Sequence, residues 1–223
     1  MNTSVPAPIG AVLFDLDGTL VDSAPGIRRC ADATLVEHGL PPLAPGELDR
    51  FISPPLRDSF AAIGAPESML DGLVATYREH YAGGGIHEFT VYPGIADVID
   101  ALAEQRIPIG VATSKLTASA EIVLEAAGLR AGLDFVVGSE PDGRRGTKTA
   151  VVTDALGRLD PGAAVGTVLV GDREHDAIGA RETGIGFVGV TWGYGDHDEL
   201  AAAGAVDIAR SPEELLTLLL GPD

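Results

Sequence analysis

A short apolar run that ends on a carboxylate or hydroxyl recurs along this chain, and it constrains the fold more than any other feature. The first is Ile9 to Leu16 (IGAVLFDL), which carries Asp15 near its end and leads straight into Asp17-Gly18-Thr19. Comparable runs lie at Ile107 to Thr113, Asp134 to Gly138, Thr167 to Asp172 and Gly186 to Trp192, with a weaker one at Val206 to Ala209. Short continuous apolar runs bounded by turn residues read as strands buried on both faces. Between them the apolar spacing becomes helical, at Ile95 to Glu104, Thr117 to Ala127, Lys148 to Leu159 and His175 to Thr183. A final helix is marked by Ser211 as cap, Pro212 at its first position, Glu214 completing a capping box and Gly221 at its end. Alternating strands and helices predict βαβ units, hence an α/β fold with a parallel sheet covered on both faces.

One stretch breaks the alternation. From Asp22 to about Phe89 the periodicity is helical at Ile27 to His38, Leu56 to Ile63 and Ser68 to Tyr81, with prolines at 41, 42, 45, 54 and 55 between the helices and no strand-like run. We expect a helical domain at 22–89 inserted into a core formed by 1–21 and 90–223. Asp22 and Ser23 suit the start of its first helix.

Composition narrows the partners. The net charge is −18, from 15 basic and 33 acidic residues. Such a chain lacks the basic surface that nucleic-acid polymers or anionic membranes require. Thirteen of the basic residues are arginines; the two lysines are Lys115 and Lys148. The single cysteine, Cys30, excludes an intramolecular disulfide and a cysteine metal site, and reads as part of a packed helix seam. With no signal-like or membrane-spanning segment in view, a cytoplasmic location is the expectation.

In open parallel sheets ligands bind outside the carboxyl ends of the strands. The polar residues of this chain gather at those places. Asp15, Asp17, Gly18 and Thr19 close the first strand; Thr113 and Ser114 end the second, followed by Lys115. Lys148 opens a helix with Thr147 as a cap, and Asp172 ends a later strand with Asp176 one turn on. Carboxylates gathered in this way repel one another unless a cation intervenes, and oxygen ligands suit Mg²⁺.

The motifs D-x-D-G-T (Asp15 to Thr19), a strand-ending Thr113, a helix-opening Lys148 and G-D-x-x-x-D (Gly171 to Asp176) occur in the order found in the haloacid dehalogenase superfamily. The resemblance covers essentially the whole chain. The insert resembles that family's small helical cap, type C1, and the core its Rossmann-like domain. The strings GSEPDGRRGTK (Gly138 to Lys148) and VTWGYG (Val190 to Gly195) resemble the branch of phosphoglycolate-phosphatase-like and 5′-nucleotidase-like proteins. Many relatives carry proline after the motif lysine; here Thr149 stands there.

The resemblance implies phosphoryl transfer through an aspartyl-phosphate. Asp15 is then the nucleophile, and Asp17 the acid that protonates the leaving oxygen and later the base that activates water. Gly18 permits the tight turn that brings backbone N–H groups near the phosphate. Thr113, with Ser114, binds phosphate oxygens, and Lys148 neutralises another while holding Asp15; Lys115 is a second cation for the same pocket. Mg²⁺ falls to Asp15, the Asp17 carbonyl and Asp172, with Asp176 auxiliary.

The same comparison narrows the reaction. Haloalkanoate dehalogenases lack the second aspartate, present here as Asp17. Phosphonoacetaldehyde hydrolases and sugar-phosphate mutases rely on a cap lysine, and this insert has none, although His38, His80 and His87 lie in it. A phosphomonoesterase for a small phosphorylated metabolite remains, phosphoglycolate-phosphatase-like, with a 5′-nucleotidase or a sugar or other metabolite phosphatase as alternatives. A non-catalytic phospho-ligand binder is the alternative from another class. ISPPLRDSF (Ile52 to Phe60) resembles the G-P-P-L segment of such caps with Ser53 in place of glycine, and makes Arg57 the candidate for the substrate's far end, ahead of Arg28 and Arg29. His175, between two aspartates, reads as a surface residue. The expected assembly is a monomer or homodimer.

Overall fold

The computed structural model describes residues 4–52 and 54–221. Ser53 lies outside the described residues. The chain divides into two compact units, Met1–Val21 with Val91–Asp223, and Asp22–Thr90.

The larger unit is built on strands β1 (Ala11–Phe14), β4 (Ile109–Leu116), β5 (Phe135–Ser139), β6 (Thr167–Gly171), β7 (Gly186–Val190) and β8 (Asp207–Ala209). They form one sheet in the order β5-β4-β1-β6-β7-β8, with every neighbouring pair parallel. All four residues of β1 are buried, as a central strand covered on both faces requires. Its register places Phe14 beside Val111 of β4 and Val170 of β6. The chain passes from β1 to β4 and β5 on one side, then crosses to β6 on the other. The direction of winding reverses at β1, and the crevice for a ligand opens at the carboxyl ends of β4, β1 and β6.

The intervening helices are α4 (Ile95–Glu104), α5 (Thr117–Ala126), α6 (Lys148–Leu156), the short α7 (Pro161–Ala164), α8 (Glu174–Thr183), α9 (His197–Ala202) and α10 (Pro212–Leu220). Val151, Val152 and Ala155 of α6 join Ala177 and Ala180 of α8 and Leu200 of α9 in a core with Leu13, Leu169 and Phe187 of the sheet. Small alanines let α6 and α8 lie close to each other and to the strands.

The elements agree with the alternation in the sequence, but some ends differ. β1 stops at Phe14, because beyond it the chain turns; the Asp15 N–H still bonds the Val170 carbonyl at 2.9 Å. β4 continues to Leu116, but its pairing with β5 is interrupted between Ala112 and Leu116. That irregularity re-aims the side chains of residues 113–115. Helix α6 ends at Leu156 rather than Leu159. The capping box expected on α10 is half realised. Ser211 Oγ accepts from the Glu214 N–H at 3.3 Å, but the Glu214 carboxylate takes the Arg210 N–H at 2.8 Å.

The smaller unit holds α1 (Ala24–Glu37), α2 (Leu56–Ala62) and α3 (Leu70–Ala82), joined by short 3₁₀ turns. Phe51 and Phe60 meet edge to face at 5.0 Å, and Tyr77 stacks on Tyr81 at 5.9 Å. Cys30 is fully buried in this core. Ser23 holds the N-cap position of α1 without a side-chain cap bond, and the Asp22 carboxylate accepts from the Ala24 N–H at 3.0 Å. The expectation of a strand-free insert needs one amendment: two-residue strands β2 (Val21–Asp22) and β3 (Thr90–Val91) pair where the chain leaves and re-enters the larger unit. No helix among the described residues is long and apolar enough to cross a membrane.

Candidate active site

Two strand ends and two helix starts build the site. β1 delivers Asp15, β6 delivers Asp172, and the first turn of α8 delivers Asp176. One carboxylate oxygen from each lies within 4.8 Å of the others, and all three residues are buried. Like charges this close in a shielded place repel strongly. The compensating cation is Lys148, the first residue of α6, whose start is fixed by Thr147 Oγ1 accepting from the Ala150 N–H at 3.2 Å. Its ammonium stands 2.7 Å from Asp15 Oδ1 and 2.7 Å from Asp176 Oδ1, and donates to the Ala112 carbonyl at 2.9 Å. The other Asp176 oxygen accepts the Arg173 N–H at 3.1 Å, anchoring that carboxylate to the start of its helix.

One ammonium among three carboxylates leaves the cluster under-compensated. Burial pushes the Asp172 carboxyl up to about 8, with Asp176 and Asp15 adding to the shift and the Tyr194 N–H opposing it. Burial likewise raises Asp15 to about 6, against the pull of Lys148. Burial by itself lowers the Lys148 ammonium, but Asp15 and Asp176 outweigh it and hold the group charged.

This arrangement fits a divalent cation. Asp15 Oδ1 and Asp176 Oδ1 are buried and make no hydrogen bond of normal angle, although each has the Lys148 charge beside it. An all-oxygen donor set with surplus negative charge suits a hard ion such as Mg²⁺.

The pKa directions give a stability test. Asp15 and Asp172 stand above the value of 3.8 that they approach in an unfolded chain. The folded chain then holds protons that the unfolded chain releases. The stability tied to those protons is full below about pH 4 and is lost as pH rises through about 6 and about 8. In excess chelator the Tm should fall by several degrees between about pH 5 and about pH 9, and millimolar Mg²⁺ should recover much more at the higher pH than at the lower. A Mg²⁺ shift equal at both pH values would contradict the charge balance described here.

The remaining residues singled out in the sequence fall into two groups. Asp17 does not join the carboxylate cluster. Its two oxygens face the Lys115 ammonium at 3.0 and 2.8 Å, in a pair whose side chains are 9% and 16% exposed for Lys115 and Asp17. Both lysines of the chain therefore sit on site aspartates. Gly18, at φ +91°, makes the turn after Asp17, in the left-handed region that favours glycine. Thr113 is buried, and its Oγ1 accepts the Lys115 N–H at 3.2 Å, while the Ser114 carbonyl accepts from Ser139 Oγ at 2.8 Å. Thr19 reaches Asp172, its hydroxyl donating to Oδ1 at 3.3 Å.

Arg57 has its partners in the smaller unit, where Glu67 and Asp71 pair with its guanidinium. Arg28 similarly donates to the Leu43 carbonyl, and Arg29 to Glu88. His175 is exposed on α8. Sequence reasoning passed over Arg145, which holds the loop before α6. Its guanidinium donates to the Gly138 carbonyl at 2.6 Å and Asp154 at 3.0 Å, and pairs with Glu140. The available signal was an arginine three residues before Lys148, among glycines, in a chain with few cations.

The chain is similar to known proteins over most of its length. Residues 12–190 match the family model for haloacid dehalogenase-like hydrolases. The tyrosine-protein kinase PtkA of Mycobacterium tuberculosis is 37% identical over 188 residues, 84% of this chain and 64% of that one, so the chain spans less than two thirds of that relative. A 5′-nucleotidase of Pseudomonas aeruginosa is 34% identical over 86% of each chain. A phosphoglycolate phosphatase of Cupriavidus necator is 35% identical over 97% of this chain and 95% of its own. A solved haloacid dehalogenase-like hydrolase from Streptococcus pneumoniae superposes with a TM-score of 0.86 at 34% identity, covering 94% of this chain and 97% of that one. With a buried aspartate cluster at the carboxyl edge of a parallel sheet and a helical insert after the first strand, the chain belongs to the haloacid dehalogenase-like hydrolase family.

Proposed function

We propose that this protein is a Mg²⁺-dependent phosphatase of a small phosphomonoester, and that phosphoglycolate is the leading substrate. The observation that carries this reading is the pair of differently compensated aspartates. Asp15 lies among buried carboxylates beside Lys148, and Asp17, two residues on, faces outward from that cluster onto Lys115. That separation gives a nucleophile and a proton carrier distinct environments.

In this reading Asp15 attacks phosphorus, and the bond from phosphorus to the leaving oxygen breaks. Asp17 gives that oxygen a proton. It then takes one from the water that attacks the aspartyl-phosphate, which releases inorganic phosphate and regenerates Asp15. Lys148 fixes the Asp15 carboxylate in place, and Thr113 and Ser114 donate to phosphate oxygens. Gly18 leaves room for backbone N–H groups to approach the same oxygens. Lys115 holds Asp17 until a phosphate oxygen draws the ammonium away. Asp15, the Asp17 carbonyl and Asp172 would hold Mg²⁺, with Asp176 in support. When bound, the ion offsets the repulsion between the nucleophile and a phosphate dianion. Arg57 remains the candidate for the substrate's far end, and it would have to exchange its pairs with Glu67 and Asp71 to meet it.

The phosphoglycolate assignment is supported by the relative that matches over nearly all of both chains. The test is a panel of phosphomonoesters with Mg²⁺, including phosphoglycolate, nucleoside monophosphates, sugar phosphates, phosphotyrosine and an aryl phosphate. Phosphate release that chelator abolishes, with phosphoglycolate highest in kcat/KM, is the expected result. A nucleoside monophosphate at the top would replace the substrate. No metal-dependent release from any member would overturn the reaction class.

A further inference from the structure

We infer that the loop from Thr191 to Gly195 is a positioning element for the Asp172 carboxylate, and that it sets the affinity of the aspartate cluster for a divalent cation. The inference rests on the metal-dependent reading above.

Asp172 is fully buried at the end of β6, and it is gripped from two directions. On one side is the turn after β1. Thr19 donates its hydroxyl to Oδ1 at 3.3 Å, and a Cβ placed on Gly18 would stand 2.6 Å from the carboxyl carbon. On the other is the loop after β7. The Tyr194 N–H donates to Oδ2 at 2.8 Å. A Cβ on Gly193 would stand 2.5 Å from the same oxygen and would overlap the Gly18 carbonyl oxygen, while one on Gly195 would overlap the Asp172 carbonyl oxygen. Only residues without side chains let the backbone close this tightly. The half-buried Trp192 ties the two grips together, its indole N–H donating to the Thr19 carbonyl at 3.1 Å.

The chemistry follows from the order imposed. A carboxylate free to rotate must be fixed when a cation binds, and that cost weakens binding. Groups that orient a ligand in advance commonly account for about 10- to 100-fold in metal affinity. Each Asp172 oxygen here has one fixed donor, so its plane is set while further lone pairs remain for a cation. The loop meets the cluster directly at Asp172, and also at Gly18 and Thr19 of the turn after β1.

The experiment counts bound Mn²⁺, an octahedral oxygen-seeking probe, from the loss of the free-ion EPR signal, in the full chain and in two variants. Gly193→Ala forces the loop back and is expected to weaken Mn²⁺ binding about 10- to 100-fold. Trp192→Phe keeps an aromatic ring but removes the N–H, and is expected to weaken it about 3- to 10-fold. Trp192 is also the only tryptophan in the chain, so the emission of the unaltered protein should shift on the same Mn²⁺ or Mg²⁺ titration. If the unaltered protein takes up no Mn²⁺, the metal reading fails and the inference with it. If it binds and both variants bind equally well, the loop is structural only and the inference alone falls. Should Gly193→Ala fail to fold, by its circular dichroism, Trp192→Phe decides the question.

Discussion

Asp15→Asn should abolish turnover while leaving the fold at least as stable, and this split is the sharpest outcome the site allows. The amide cannot carry an attacking lone pair of comparable strength, so the covalent step proposed for Asp15 would be lost. Removing a nucleophile from an intact site typically costs about 10⁴- to 10⁶-fold in kcat. Stability should move the other way in chelator near neutral pH. Burial holds Asp15 and Asp172 above their ordinary range, and the Asp15 charge adds to the shift of Asp172. A neutral side chain at 15 removes one repelling partner, and Lys148 keeps its contact with Asp176 at 2.7 Å. The measurements are steady-state phosphate release and Tm in chelator. Residual turnover above about a hundredth of the parent rate would remove Asp15 from the nucleophile role.

Lys148→Arg should be nearly as damaging, although the charge is kept. The ammonium reaches Asp15, Asp176 and the Ala112 carbonyl at once, which needs a compact cation with tetrahedral donors. Space is short along its stem: a Cβ on Gly179 of α8 would stand 2.8 Å from Lys148 Cγ. A planar guanidinium at the end of this stem cannot satisfy three acceptors arranged for a point charge. It must displace α8 or leave Asp15 unheld. We expect kcat to fall about 100- to 1,000-fold, comparable to losing one preorganised electrostatic contact, with KM changed far less. A kcat within about threefold of the parent would show that charge alone suffices there.

How much of this was readable beforehand follows from where each interaction originates. The apolar runs ending in Asp15, Thr113 and Asp172 announce their own strands, and parallel sheets bring such ends to one edge, so the carboxylate cluster is implied by local pattern and topology together. The start of α6 at Lys148 was legible from Thr147. The partner of Asp17 was not. Lys115 reaches it only because β4 pairs with β1 in a particular register and its ladder with β5 is broken beyond Ala112. No local sequence rule sets that alignment. The grip on Asp172 was hidden for a related reason: nothing local in the string VTWGYG shows what its glycines must approach, and their necessity appears only when Asp172 and Gly18 are folded against them. Arg57 shows the converse, since its partners Glu67 and Asp71 come from two later segments of the insert.

The position of β1 in the sheet also bears on how the chain comes to be folded at all. β1 lies between β4 and β6, its neighbours on either side. A ribosome makes β1 before the helical insert and before β4, and it reaches Gly171, the end of β6, later still. Until β4 is made, this fully buried strand is an apolar segment with neither neighbour, and it lacks β6 for longer still. The pairings that cover it are far apart along the chain, which makes them slow to form. The segment from Asp22 to Thr90 emerges in the interval and buries its own aromatic core. The nascent chain therefore spends its most aggregation-prone period with a folded unit immediately following its stickiest stretch.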